Sequence, residues 1–547
     1  MGSRPGKVAL CEQLQADGMT HVFGNPGTVE QGLLDELELF GGFQYYLTLQ
    51  ETVAAGIADG YARATQKPTL LQLHSGVGLG NGIGMLYQAM RGHAPIVCIA
   101  GESGVRYEAM DAQMASDLVA MARPVTKWAG RVTEPQSLLR TLRRAVKIAM
   151  TPPRGPVFLS LPMDILDAPN EEVVVPTVVP DTRTTAAGDL VARAASLLVG
   201  ARRPLLLIGD GVAQSHAERE VTEVAERLGA KVWLVDSSEP NMAGDHPLVQ
   251  GQLGHMFGEV STAAVRDADA VLIVGTYVFP EVFPELGNPF APDAKIVHVD
   301  LNAYEIAKNH PVTVGIVADP KLTLAALAGV IGQISTDADV TAARERVETA
   351  RTEPKALPHG QNSVLAAFLR ELSAFVPQDV MVFDEGLTAS PLIAQFLPPR
   401  LPGHNFITRG GSLGVGFPGT IGLKVANPDA TVIGFSGDGG SMYTIQSMWT
   451  AARYKIGAKF VVCDNHRYEL LNDNIDVYWR EREITGHPHP RSFDLGYPEI
   501  DFVGLAGSLG VPGYRLEKAE DAANAVSRLL NHDGPFLVDV VTDDLLS

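Results

Sequence analysis

Short runs rich in β-branched residues alternate with longer helix-period stretches along nearly the whole chain. PTLLQLHS is followed by GNGIGMLYQAMRG and then by APIVCIAGE, the rhythm of parallel strand–helix–strand units. Two stretches interrupt it: NEEVVVPTVVPDTRTTAAGD near 170–189 and STDADVTAARERVETARTEPKALPHGQN near 335–362, both polar or proline-containing and both read as linkers. The pattern predicts an α/β protein of three doubly wound parallel-sheet domains, over residues 1–182, 183–345 and 346–547.

The middle segment runs through RRPLLLIGDGVA, AKVWLVD, DAVLIVGTYVF and KIVHVDLNAYEI, a Rossmann-like succession. Its GDG at 209–211 is not a complete G-x-G-x-x-G, so it reads as a tight βα turn and argues against nicotinamide binding. No repeat of 20–50 residues is visible, although the first and third segments share strand–helix architecture.

Length supports the division: 547 residues exceed one ordinary core, and domains of roughly 100–200 residues suggest about three. The hydrophobic fraction of 46% and charged fraction of 19% are those of a soluble globular protein, without the long uncharged apolar run of a membrane span. A formal net charge of −20 opposes binding to nucleic acid phosphates, leaving small molecules as the expected partners. Cys11, Cys98 and Cys463 are odd in number and lack metal-ligand spacing. They read as reduced thiols, and with no signal-peptide pattern in MGSRPGKVALCEQL a cytoplasmic location is expected.

The strongest chemical signal lies in ATVIGFSGDGGSMYTIQSMWTAARYKIGAKFVVCDNHRYELL. A strand ends in Gly437-Asp438-Gly439-Gly440, and after a helix beginning near Ser441 a second strand ends in Asp464-Asn465. Magnesium takes hard oxygen donors, typically one or two from protein and the rest from phosphate and water. Asp438 and the Asn465 amide suit that role, while the flanking glycines and the helix start would admit a diphosphate. Either fragment alone is a turn; together, at successive strand ends, they point to a metal-bridged diphosphate.

GDGG through DNHRY resembles the thiamine diphosphate motif. VFGNPGTVE, LQETVAAGIADGYAR and LHSGVGLGNGIG resemble the pyrimidine-binding domain of the benzoylformate decarboxylase family, and FDEGLTAS with RGGSLGVGFPG resemble its diphosphate-binding domain. The acetohydroxyacid synthases share the outline more distantly. The resemblance covers essentially the whole chain and implies pyrimidine-binding, middle and diphosphate-binding domains. It also implies thiamine diphosphate and Mg²⁺ as cofactors, and cofactor held between chains in a dimer at minimum, assembled as a homotetramer.

Residue by residue, the resemblance implies that Glu51 protonates the far nitrogen of the aminopyrimidine, favouring the imino tautomer that removes the thiazolium C2 proton. Read alone, Glu51 is a carboxylate at a helix start, welcomed by the dipole. It further implies that the Gly411 carbonyl meets the 4′-amino group and that Leu413 wedges beneath the bent cofactor. Thr388, Gly437, Gly439, Gly440 and Tyr468 would contact its diphosphate end, Asn81 would lie near it, and Asp438, Asn465 and the Arg467 carbonyl would ligate Mg²⁺. A guanidinium itself has no acceptor to offer a metal. His74 stands at the family's active-site histidine, a proton donor or acceptor, and Thr28 where the family has a serine that meets the substrate carboxylate. Without the resemblance, His74 after an apolar strand reads as a hydrogen-bonded structural residue.

Two departures qualify the match. GTYVFPEVFPEL lacks the family's second active-site histidine and offers Glu281, Val282 and Phe283 there, which puts benzoylformate itself in doubt as substrate. The stretch NDNIDVYWREREITGHPHPRSFDLGYPEIDF after the cofactor motif is longer than the family's and carries Tyr478, Trp479, His487 and His489; it reads as a cap, an oligomer contact or a surface loop. The expected activity is decarboxylation of a 2-oxo acid to an aldehyde or, with an aldehyde acceptor, to a carboligated product. The alternatives are an acetolactate-synthase-like carboligase, marked by bound flavin, and a catalytically silent protein that keeps the fold for assembly or regulation.

Overall fold

The structure is a computed structural model that describes residues 2–354 and 357–542. Three six-stranded parallel sheets carry it, beside one short antiparallel pair, Arg4–Pro5 with Pro169–Asn170. The first sheet has the order Gln44–Leu47, His21–Gly24, Thr69–Leu73, Ile96–Glu102, Val157–Pro162, Trp128–Arg131. The third runs Asn405–Ile407, Met381–Glu385, Val432–Gly437, Lys459–Asp464, Phe536–Val541, Gly513–Leu516. Counted within each domain both are 2-1-3-4-6-5, so the architecture shared by the first and third segments extends to strand order. The order reverses between the first and third strands, and open α/β sheets bind ligands in the crevice at such a point.

The chain forms two compact units, one of Met1–Pro180, Pro358–Leu397 and Ile407–Ser547, the other of Asp181–Leu357 and Pro398–Phe406. In the first unit, the helix Glu51–Thr65 packs on the helix Gly416–Ala426 through glycines. A Cβ on Gly60 would fall 2.1 Å from the Gly419 carbonyl oxygen, and one on Gly422 would fall 2.1 Å from that of Ile57. The helix that begins with Glu51 is thereby seated against the helix that follows the RGGSLGV loop.

The second unit has the strand order Val249–Leu253, Lys231–Val235, Pro204–Ile208, Ala270–Val274, Lys295–Asp300, Val314–Val317, which is 3-2-1-4-5-6, the order of dinucleotide-binding domains. Its first turn is closed: a Cβ on Gly211 would lie 2.5 Å from the Gly275 Cα, and the helix that follows, Gly211–Gln214, is a single turn. The buried Asp210 carboxylate accepts from Ser238 N at 2.9 Å, Ser238 Oγ at 2.7 Å and Glu239 N at 3.2 Å.

Of the two expected linkers, residues 171–187 form neither helix nor strand. The second is different: 335–362 contains the helix Asp337–Thr352, and the cut at 345/346 falls inside it. Its polar composition suggested a linker, but Thr336 and Asp339 make a reciprocal capping box and Ala343 and Ala350 are buried, which suffices to seat a mostly polar helix. Among the described residues no helix is long and apolar enough to cross a membrane. Cys11, Cys98 and Cys463 are free and buried, and burial pushes the Cys11 thiol up to about 12.

Candidate functional site

Two clusters form, one at each switch point of the first unit. In the first sheet, strand His21–Gly24 runs into Asn25-Pro26-Gly27-Thr28 and strand Thr69–Leu73 into His74. These two strand ends meet: a Cβ on Gly27 would fall inside the His74 ring, 1.8 Å from Nδ1. Thr28, beside it, is exposed. Glu51 opens its helix, where the Gln50 side chain caps the first turn by accepting from Thr52 N and Val53 N. Its carboxylate is buried and accepts from Asn81 Nδ2 at 3.0 Å. Gly78 stands between the two acid–base candidates, since a Cβ there would lie 2.7 Å from Glu51 Oε1 and 3.1 Å from His74 Cβ. Glu51, His74, Thr28 and Asn81, scattered over 54 positions of sequence, thus gather at one crevice.

Glu30 belongs to this cluster and was not singled out from the sequence. Its buried carboxylate accepts from Gly101 N at 2.7 Å and faces His74 Nδ1 at 2.8 Å. Burial raises its pKa, opposed by the His74 bond and the backbone donors. An acid two residues beyond Thr28 in NPGTVE is the signal that could have found it.

In the third sheet, strand Val432–Gly437 ends at Asp438 and strand Lys459–Asp464 at Asn465. Asp438 accepts from Gly439 N at 2.7 Å and Arg467 N at 3.1 Å and shares a hydrogen bond with Asp464. Burial and the neighbouring Asp464 charge hold the Asp438 carboxyl well above the usual range. The expected helix near Ser441 instead starts at Asp438 and lasts one turn, Asp438–Ser441, because Gly439 and Gly440 at its head disfavour propagation; the regular helix resumes at Ser447–Arg453. The Tyr468 ring covers Gly439 so closely that a Cβ there would lie 2.2 Å from it. Asn465 is buried, with Oδ1 3.3 Å from Arg467 N. The Arg467 carbonyl accepts from Glu469 N at 3.1 Å, and its guanidinium turns to Glu469 at 2.5 Å.

Thr388 lies half-buried in the single turn Leu387–Ala389 that follows strand Met381–Glu385. Gly411 and the half-buried Leu413 sit in a loop where Gly410, Gly411 and Gly414 take φ of 65°, 71° and 92°, a backbone that side chains resist. Beneath this loop is Glu385, the second residue the sequence reading passed over, although an apolar strand ending in two acids, VFDE, was a signal. Burial pushes its carboxyl up to about 7.

The two departures take definite shapes. Val282 and Phe283 are exposed, with Phe283 stacked on Phe257 at 5.4 Å, and burial raises the Glu281 carboxyl. In the long stretch after the motif, Trp479 stacks on His489 at 5.5 Å and meets His487 edge-on at 6.0 Å, while His489 pairs with Asp476 at 2.9 Å. Those aromatics contact one another, while the stretch reaches the cluster through backbone, with Tyr468 N donating to the Phe493 carbonyl and Leu495 N to that of His466, both at 2.8 Å, and through Glu499, 3.7 Å from His466 Nε2.

Residues 5–121 match the family model "thiamine pyrophosphate enzyme, N-terminal TPP binding domain", residues 191–327 the central domain and residues 388–540 the C-terminal TPP binding domain. The chain is 30% identical to a benzoylformate decarboxylase of Pseudomonas aeruginosa over 541 residues, 98% of each chain. It is 29% identical to the acetolactate synthase isozyme 2 large subunit of Escherichia coli over 546 residues, covering 99% of this chain and 96% of that one. The solved structure of a thiamine diphosphate-dependent 4-hydroxybenzoylformate decarboxylase of Rhodococcus jostii RHA1 superposes with a TM-score of 0.85 at 27% identity, covering 100% of both chains. With three domain matches in the order of the three sheets and similarity along the full chain, the protein belongs to the thiamine diphosphate-dependent enzymes of the decarboxylase and acetohydroxyacid synthase superfamily.

Proposed function

We propose that the protein is a thiamine diphosphate- and Mg²⁺-dependent lyase that decarboxylates a 2-oxo acid and releases an aldehyde or passes the acyl carbon to an aldehyde acceptor. The observation that carries this is the pairing of two ionisable side chains, Glu51 and His74, around Gly78 at one switch point, with an oxygen-donor cluster at the equivalent point of the third sheet.

The residues present suit the metal. Among the described residues, Asp438 meets two backbone N–H groups and a second acid, and no cationic side chain, so a divalent ion would relieve a buried charge. Asp438, Asn465 and the Arg467 carbonyl would hold Mg²⁺, an ion that takes much of its shell from phosphate and water; among the described residues no group of three or more His, Cys, Asp or Glu is arranged for a metal. Bound thiamine diphosphate would supply the electron sink for the carbanion left by CO₂.

The protein's own part is to bind and to move protons. Gly437, Gly439, Gly440, Thr388 and Tyr468 would receive the diphosphate end, while the Gly411 carbonyl and Leu413 would orient the rings. Glu51, steadied by Asn81, would hold the proton of the aminopyrimidine nitrogen. His74 would hand a proton to, or take one from, the reacting carbon, and the exposed Thr28 hydroxyl would meet the substrate carboxylate. Among the described residues, no hydrogen bond or ion pair joins Glu51 or His74 to Asp438 or Asn465. The family resemblance supports a site completed between two chains, hence a dimer at minimum and a homotetramer as the assembly.

Carboligation of the acetolactate-synthase kind is the second reading, favoured by the 29% identity to that enzyme. A panel of 2-oxo acids assayed for CO₂ release, with and without added aldehyde, tests both. Release from aromatic or branched 2-oxo acids without acceptor supports the lyase; acetolactate from pyruvate supports the synthase; no release from any member, with cofactor bound, overturns both in favour of a silent protein.

A further inference from the structure

Glu385 ends the first strand of the third sheet with its side chain 1% exposed. One carboxylate oxygen accepts from Gly414 N and the other from Gly416 N at 2.6 Å, with Ser436 Oγ at 3.3 Å as a third donor. Gly414 and Gly416 belong to the loop that presents Gly411 and Leu413, and Ser436 immediately precedes Gly437 and Asp438. A Cβ on Gly440 would lie 3.5 Å from Glu385 Oε1, so the carboxylate also underlies the diphosphate turn itself. From the other side, Thr444 Oγ1 donates to the Gly414 carbonyl at 2.6 Å. We propose that Glu385 is a positioning residue for the cofactor: by spending each oxygen on a different amide of the loop, it fixes how far the Leu413 wedge stands from the turn at Asp438.

The two-pronged contact explains why a carboxylate is used there. A carboxylate offers an acceptor at each end of its fork, and a bent cofactor gripped at its diphosphate and propped at its rings needs those two grips at a set separation. Glutamine keeps the shape but turns an NH₂ toward one of the two amides, leaving a buried donor unanswered. The loop must then shift against the turn. This inference rests on the cofactor assignment above, with the wedge at Leu413 and the grip at Asp438.

The test uses the full-length protein and thiamine diphosphate with Mg²⁺ as probe, comparing Glu385→Gln with the parent. Affinity is read by calorimetry, C2 proton exchange of bound cofactor by NMR after acid quench, and folding by thermal melt. The expected result is a folded variant whose dissociation constant for the cofactor rises about tenfold or more and whose C2 exchange slows, because both grips no longer fit at once. Glu51→Gln, by contrast, should slow exchange at parental affinity. A Glu385→Gln protein that melts earlier yet binds and exchanges like the parent would reduce Glu385 to a fold-holding residue and overturn the inference. If Glu385→Gln does not fold, Thr444→Val loosens the same loop from its other face, and parental affinity there overturns it equally. A parent that takes up no thiamine diphosphate fails the functional reading instead.

Discussion

Glu30 Oε2 stands 2.8 Å from His74 Nδ1 with its own carboxylate buried, so that ring nitrogen is engaged by the acid. That leaves Nε2 as the nitrogen that can exchange a proton with substrate. Glu30→Gln should lower kcat/KM on whichever 2-oxo acid is turned over by about tenfold or more, short of the 10²–10⁴-fold expected for His74→Phe. Nitrogen-15 shifts of the His74 ring should report a changed tautomer mixture in the same variant. Unchanged turnover together with an unchanged tautomer would make the pair a structural bond only.

Chelation should release the cofactor, because without a cation the diphosphate would face a buried acid. Since burial and the Asp464 charge hold the Asp438 carboxyl above the usual range, Mg²⁺ competes with a proton for it. Calorimetry in buffers of different ionisation heat should therefore register proton release when Mg²⁺ and thiamine diphosphate bind, and affinity should weaken as pH falls. Binding without proton release, or affinity unmoved by chelation, would contradict the ligand assignment.

The cofactor-free protein should also be more stable at pH 6 than at pH 8. Glu385 and Asp539 are both pushed up to about 7 by burial. Their folded pKa lies above the unfolded one, so folding takes up protons, and stability falls as pH rises from the unfolded values through about 7. His21, His298 and His310, lowered by burial, work the other way below 6.5, while Asp300, Asp384 and Asp438 are raised by burial and act with Glu385 and Asp539. A thermal melt higher by about 2–4 °C at pH 6 is expected. The reverse order of melts would show that these acids are not buried as found.

How far the sequence reached depended on whether a signal was local. The strand–helix rhythm is local, and the three sheets followed it. Asp438 and Asn465 sit within one motif, and Glu51, His74 and Thr28 were reached through local motifs whose convergence only the sheet order explains. Glu30 and Glu385 were missed because their roles lie in long-range partners: His74 is 44 residues from Glu30, and Gly416 is 31 from Glu385. The helix Asp337–Thr352 was misread since its composition is that of a solvated linker and its cap and two buried alanines weigh little in a hydrophobic pattern.

Gly60→Ala tests the helix contact beneath the site. With the Gly419 carbonyl 2.1 Å from the added methyl, the two helices must separate, and such overpacking costs about 1–3 kcal/mol. Urea denaturation should show that loss with little change in the slope. A variant as stable as the parent would mean that the contact between Glu51–Thr65 and Gly416–Ala426 yields to an added methyl without cost.

Glu51→Gln should still bind thiamine diphosphate and Mg²⁺, because the grips proposed for the diphosphate lie in the third sheet and the substitution is nearly isosteric. Asn81 can turn its amide to satisfy the new side chain, so the fold should hold as well. Chemistry should suffer, since an amide cannot deliver and recover the proton that drives the imino tautomer, a general acid–base contribution of about 10²–10⁴-fold. Proton exchange at C2 of the bound cofactor, followed by NMR on acid-quenched protein, reads this step without knowledge of the substrate. Exchange as fast in Glu51→Gln as in the parent would leave Glu51 as a buried carboxylate at a helix start, and the assignment of every other site residue would lose its central member.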